Sequence, residues 1–121
     1  MSLTVYSYPK CSTCRKALAW LAQHEIEHRV VHIVDAPPSP KQLADVLKKS
    51  KLPLKSLFNT SGESYREGGF KDRLPGMKEA EALAALAADG KLIKRPMLVG
   101  PDLALVGFDA PGWQKALVAD R

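Results

Sequence analysis

The sequence predicts an α/β fold made of two halves, β-α-β and then β-β-α, with a helical insert between them. Three observations carry that prediction. β-patterned runs at 3–8 and 29–34 bracket an amphipathic helix, the stretch from about 38 to 94 carries helical signals without strands, and two short apolar runs near the end precede a last helix. With 121 residues and 45% hydrophobic composition, 1–121 reads as one domain with its own core.

Thr4, Val5, Tyr6, Ser7 and Tyr8 are β-branched, aromatic or small, and Pro9 stops the strand. A helix over 12–23 follows, with Ala17, Leu18, Trp20 and Leu21 recurring at helical spacing. Val30, Val31, Ile33 and Val34 mark the second strand, and Pro37-Pro38 is a rigid connector. Ser39-Pro40-Lys41-Gln42 combines an N-cap serine, a proline at the first helical position and a capping-box glutamine, which predicts a helix to about 49. A short helical turn is expected over 51–58 after a break at Pro53, then an irregular stretch through Gly62, Gly68 and Gly69 that holds Tyr65 and Phe70. A helix over 77–88 stops at Gly90. Short strands at 97–100 and 103–107 are close enough to pair as an antiparallel hairpin across Pro101-Asp102, and a last helix is expected over 113–119.

Cys11 and Cys14 lie between the first strand and the first helix, and they are the chain's only cysteines. Element order and motif position together give a thioredoxin-like fold with a helical subdomain inserted at about 38–94. Two cysteines rule out the disulfide framework of small secreted proteins. The start of the chain lacks the pattern of a secretory signal, and no run of about 18 apolar residues could span a membrane, so a cytoplasmic protein is expected. The formal charge of +5 favours an anionic partner. The densest basic group, Lys48, Lys49, Lys51 and Lys55, has no interleaved aromatics to stack bases and reads as a solvated helix end; direct nucleic-acid contact is not expected.

A CxxC motif has three common explanations: structural zinc, a buried pair, or a redox pair. Zinc needs four ligands, and with no second CxxC and only His24, His28 and His32 the usual spacing is missing, so no metal is expected. Free cysteines pack as small hydrophobes but rarely twice at the start of one helix. In the redox reading Cys11 sits at or near the N-cap, where free N–H groups and the helix dipole favour a thiolate, and Cys14 is the resolving thiol one turn deeper. Lys10 and Arg15 flank Cys11 and either lower its pKa by proximity or serve as plain surface charge. The backbone N–H groups of Ser12, Thr13, Cys14 and Arg15 form a candidate anion cradle. His24 to His28 matches HExxH, but strand-like Arg29-Val30-Val31 follows at once, which takes His28 off the helix and makes the match accidental. Arg95-Pro96 precedes the third strand, where thioredoxin-like proteins place a cis-proline against the active cysteine. Beside such a turn Arg95 offers a guanidinium to the thiolate or to an anionic adduct, unless it is an ordinary surface arginine.

Three ordered segments, 8–17, 58–66 and 90–96, resemble the arsenate reductase-like (ArsC/Spx) family, and the resemblance runs from about Leu3 to Leu117. It implies a thioredoxin-like fold with a helical insert, places the family's catalytic cysteine at Cys11 and places its arginine before proline at Arg95. Glutathione-coupled arsenate reductases of this family use two further arginines, at positions that fall near Asn59 and near Gly107 or Phe108. They also carry a single site cysteine. Spx-type members keep the CxxC as a redox switch and bind the RNA polymerase α subunit through a loop with a glycine, where this chain has Ser50-Lys51-Leu52-Pro53, and they tend to have a longer tail.

The expected activity is that of a monomeric thiol oxidoreductase. In it Cys11 attacks a disulfide, a glutathione mixed disulfide or an oxyanion, Cys14 or glutathione resolves the adduct, and Arg95 beside Pro96 stabilises charge. No bound cofactor is expected; glutathione, thioredoxin or glutaredoxin would act as co-reductant, and the basic balance suits glutathione with its two carboxylates. The alternatives are an Spx-type redox regulator that binds RNA polymerase and a glutathione-coupled arsenate reductase.

Overall fold

The computed structural model describes residues 2–118. In chain order its elements are β1 (Thr4–Ser7), α1 (Ser12–Gln23), β2 (Arg29–His32), α2 (Pro40–Ser50), α3 (Glu63–Glu67), α4 (Phe70–Arg73), α5 (Glu79–Ala88), β3 (Met97–Val99), β4 (Ala104–Val106) and α6 (Ala110–Leu117). One mixed sheet runs β2-β1-β3-β4, with β1 parallel to β2 and antiparallel to β3, and β4 antiparallel to β3. Parallel neighbours need a crossover, which α1 supplies, whereas β3 and β4 close as a hairpin. This is the thioredoxin-like arrangement expected from the sequence.

Alternation along the strands divides the apolar residues between two faces. Val5 and Leu98 pack with Ala17 and Leu21 of α1 and with Trp113 and Leu117 of α6. Met97 and Ala104 turn to the other face, where Leu43, Val46, Phe58 and Leu86 of the insert are buried. Burying a side chain such as that of Phe58 contributes about 1.5–3 kcal/mol. The two ends of the insert are tied together there. Phe58 bridges Ile93, the Asn59 N–H donates to the Leu92 carbonyl at 2.8 Å, and the Lys94 N–H donates to the Leu57 carbonyl at 2.8 Å. Arg95 follows directly, and the Arg95-Pro96 bond is cis.

Several elements differ from the sequence reading, each for a local reason. β2 ends at His32 and not at 34 because the His32 ring accepts the next amides: Nδ1 takes the N–H of Val34 and of Asp35, each at 3.2 Å. The stretch expected to be irregular holds α3 and α4, too short for any periodic signal, packed through Phe58, Tyr65 and Phe70, whose ring centroids lie 5.6–6.2 Å apart. Between them Gly69 has φ 66. α5 starts at Glu79 and not at 77, where the Glu81 carboxylate accepts the Lys78 N–H at 2.9 Å. Gly90 is not a left-handed helix stop; it belongs to a 3-10 turn over Gly90–Leu92 and lies against the Ile33 backbone. α6 starts at Ala110, because Asp109 caps it by accepting the Gly112 N–H at 3.1 Å and Pro111 is tolerated in a first turn. The expected residue 119 of this helix lies outside the described residues.

The capping box of α2 forms as expected, with Ser39 and Gln42 exchanging bonds at 2.8 and 3.1 Å. Lys48 and Lys49 occupy its last turn, and Lys49 also donates to the Gly100 carbonyl at 3.0 Å. His24 caps the end of α1 and stacks on Trp20, while His28 leads into β2, so the HExxH residues share no helical face. No helix among the described residues is long and apolar enough to cross a membrane.

Candidate active site

The site begins where β1 turns into α1. Pro9 cannot continue a central strand, and the Cys11 N–H donates back to the Tyr8 carbonyl at 3.0 Å, which leaves Cys11 extended as the N-cap of α1. Its Sγ accepts the Cys14 N–H at 3.4 Å. A sulfur thus occupies the place where serine or aspartate oxygens usually cap, at the positive pole of a helix with no acidic residue in its first turn. Cys14 points inward and is fully buried, one turn into the helix, and both cysteines are free thiols.

The surroundings push these sulfurs in opposite directions. Partial burial raises the Cys11 thiol, but hydrogen bonds from the Cys14 thiol and amide, then the hydrogen bond and charge of Arg95, outweigh it and bring Cys11 below the ordinary thiol value. Burial dominates at Cys14 and holds it above that value; the neighbouring Cys11 adds to the effect, while the Tyr8 backbone and the Ser7 hydroxyl partly oppose it. The outcome is one sulfur ready to ionise and, beside it, one kept as a thiol.

Arg95 reaches this pair from the far side of the insert. Its guanidinium lies over the Tyr8 ring, 4.9 Å from the centroid, and Nη1 donates to the Lys91 carbonyl at 3.3 Å. Its Nε is buried without a hydrogen-bond partner. Pro96 is buried beside it, and its carbonyl accepts the Gly107 N–H at 2.8 Å.

Cys11, Cys14 and Arg95 therefore come together, with Pro96 next to Arg95 in the chain, whereas the flanking charges do not join them. Lys10 is exposed. The Arg15 guanidinium donates to the Pro9 carbonyl at 2.9 Å and fastens the loop, and the Arg15 backbone N–H donates to the Cys11 carbonyl at 3.1 Å. The charge acting on Cys11 is that of Arg95 and not that of its sequence neighbours. Of the expected cradle, the amide of Cys14 serves the sulfur, and Ser12 and Thr13 lie exposed on the first turn. Two contributors are not visible in the sequence. Tyr8 reads as a strand aromatic yet carries Arg95 on one face and meets His32 edge-on at 5.6 Å. Ser7 reads as a strand residue yet is the buried hydroxyl next to Cys14; a polar residue on the inward side of β1 is the one signal that marks it.

Arg95 separates two cavities. One, of about 580 Å³, is lined by Thr13, Leu52, Lys94, Gly107 and Phe108. The other, of about 400 Å³, is lined by Tyr8, Asn59, Glu63, Glu67 and Lys91. In the second, hydrogen bonding with Glu63 and its charge push the Glu67 carboxyl up.

A thioredoxin-like fold with a cysteine pair at the start of α1 and an arginine at the cis-proline defines an ArsC-like, thiol-dependent class of protein. The chain belongs to the ArsC family, whose model matches residues 6–116. It is similar to the uncharacterized protein YusI of Bacillus subtilis, 51% identical over 108 residues that cover 89% of this chain and 92% of that protein. Regulatory protein MgsR of Bacillus subtilis is 30% identical, covering 91% of this chain and 85% of its own length. An arsenate reductase of Rhizobium meliloti is 32% identical, covering 84% of this chain and 71% of its own. Among solved structures, an ArsC family related protein from Bacteroides fragilis superposes with a TM-score of 0.91 at 43% identity, over 95% of this chain and 97% of that one.

Proposed function

We propose that this chain is a thiol-disulfide oxidoreductase of the ArsC family, with Cys11 as nucleophile and Cys14 as resolving thiol. The observation that carries the reading is the opposite push on the two sulfurs, because exchange needs a thiolate to attack and a nearby thiol to resolve. The Cys11 thiolate attacks one sulfur of a disulfide, a bond forms between them, and the other sulfur leaves with the electron pair and takes a proton. Cys14 then loses its proton and attacks the Cys11 sulfur, releasing the second half of the substrate and closing the Cys11–Cys14 disulfide. Arg95 stabilises negative charge at the reacting sulfur. Glutathione, thioredoxin or glutaredoxin restores the dithiol.

Arsenate is the poorer substrate for this site. The two positions that supply extra arginines in glutathione-coupled arsenate reductases fall near Asn59 and near Gly107 or Phe108, none of which is arginine, and in the cavity beside Asn59 the acids Glu63 and Glu67 offset the cations Lys91 and Arg95. An assay of the pre-reduced protein tests the reading, with hydroxyethyl disulfide and no other thiol in one arm, read as oxidation of the Cys11–Cys14 dithiol, and arsenate with glutathione and glutaredoxin in the other. Exchange with the disulfide alone is expected; turnover of arsenate, or no exchange in either arm, overturns it. A second reading, a redox-sensing regulator that binds the α subunit of RNA polymerase, draws on the relative named regulatory protein MgsR. Capture of the polymerase α C-terminal domain by the oxidised but not the reduced chain, without disulfide turnover, would favour it.

A further inference from the structure

We propose that the free edge of β4 receives an extended polypeptide segment, so that the disulfide presented to Cys11 belongs to a protein. The inference rests on the thiol-disulfide reading above and adds a substrate class to it.

β4 is the last strand of the sheet, and its ladder with β3 fixes which backbone groups remain free. Gly107 N–H pairs with the Pro96 carbonyl and Gly100 N–H with the Leu103 carbonyl, in register with Leu98 opposite Leu105. Residues of an antiparallel strand alternate, so Leu105 bonds across to β3 while Ala104 and Val106 direct N–H and C=O to the outer edge; Ala104 is buried, and the accessible part of that edge is at Val106. Val106 is half-buried, and with Ala104 and Leu105 it lines the 580 Å³ cavity, which extends to Thr13 and Arg95 beside Cys11.

The chemistry of this groove suits a peptide. Leu52, 37% exposed and one of two large hydrophobics exposed among the described residues, and Phe108 give it apolar walls. Gly107, at φ 76, adopts there a left-handed conformation that a residue with a Cβ rarely takes. Lys94 and Arg95 exceed the single acid, Asp109, so the matching segment carries an acidic residue near its cysteine. A small thiol adduct needs only the Arg95 end, and would leave the strand edge and Leu52 without a partner; an extended chain uses all three by strand addition. The reaction balances without a further reagent: the peptide's disulfide is reduced to two thiols as the Cys11–Cys14 dithiol is oxidised to a disulfide.

Two measurements test this, one independent of the thiol chemistry. Titrating the reduced protein with an extended peptide of about eight residues, bearing valines, one glutamate and serine in place of cysteine, should shift the backbone amide signals of Ala104, Val106 and Gly107. Lys94→Glu, an exposed change, should weaken this binding about tenfold and restore it for a peptide with lysine in place of glutamate. Exchange with the cysteine form of that peptide, as its disulfide with a second copy, should fall about fivefold to tenfold in Val106→Pro, which removes the outward N–H, and fall less for hydroxyethyl disulfide. No amide shifts, or shifts confined to other elements, overturn the docking surface even if small disulfides react. If the peptide docks on β4 but neither disulfide reacts, the thiol reading has failed, and this substrate assignment falls with it.

Discussion

Replacing Arg95 by methionine removes the one charge that acts on Cys11 and keeps an apolar side chain on the Tyr8 ring. A hydrogen bond to a charged group is worth about 1.5–3 kcal/mol, and solvent at the half-open Cys11 site reduces that to about 1.4 kcal/mol, or roughly a tenfold loss of thiolate at neutral pH. A more basic thiolate is also a better nucleophile: with a Brønsted coefficient of about 0.4–0.5, the surviving thiolate attacks roughly threefold faster. At pH 7 the net effect is exchange slower by about threefold, and at a pH where both proteins are fully ionised the variant is faster by about threefold. The assay is the second-order rate of exchange with hydroxyethyl disulfide from pH 5 to above the ordinary thiol range of about 8.5, in a Cys14→Ser background so that only Cys11 reacts. The two pH profiles should cross. Parallel or superimposed profiles would refute the assignment of Arg95 as a group that lowers this sulfur's pKa.

Cys11→Ser should abolish exchange, whereas Cys14→Ser should accumulate a mixed disulfide on Cys11, seen as the added mass of one substrate half in the intact protein. Because Cys11 sits below the ordinary thiol value and a lowered group stays ionised until the pH falls through its folded-state pKa, iodoacetamide should still alkylate it at pH values where free cysteine has largely stopped reacting. Gly90→Ala would drive a Cβ into the Ile33 carbonyl oxygen, a backbone atom that no rotamer change can move away, so a destabilisation of about 3 kcal/mol is expected in urea unfolding; an unchanged midpoint would contradict that packing. Phe58→Ala should cost about 3–5 kcal/mol and lower exchange as well, since Phe58 helps hold the segment that presents Arg95.

The chain signals its fold most clearly where local chemistry decides it. The Ser39 and Gln42 capping box, the apolar face of α1 and the paired strands around Pro101-Asp102 each follow from side chains within a few residues of one another. α3 and α4 leave no such signal, because helices of five and four residues depend on the Phe58, Tyr65 and Phe70 cluster for stability. Gly90 reads as a helix stop, but its real constraint, the Ile33 backbone, lies far away in sequence. The same division holds at the site. Cys11 and Cys14 are legible from spacing alone, and Arg95 from its proline. Which charge faces Cys11 is a tertiary fact: Lys10 and Arg15 are the obvious neighbours, yet Arg15 is engaged by the Pro9 carbonyl and the charge comes from Arg95 across the insert. The Tyr8 ring that carries Arg95 has no role that can be assigned without the fold.

The most direct test is a pH titration of thiolate ultraviolet absorbance in two single-cysteine variants, Cys14→Ser, which keeps a hydroxyl donor beside Cys11, and Cys11→Ser. Ionisation of Cys11 below the ordinary thiol value and of Cys14 above it is the predicted result. Coincident or inverted titrations would mean that the start of α1 and Arg95 do not set these sulfurs apart.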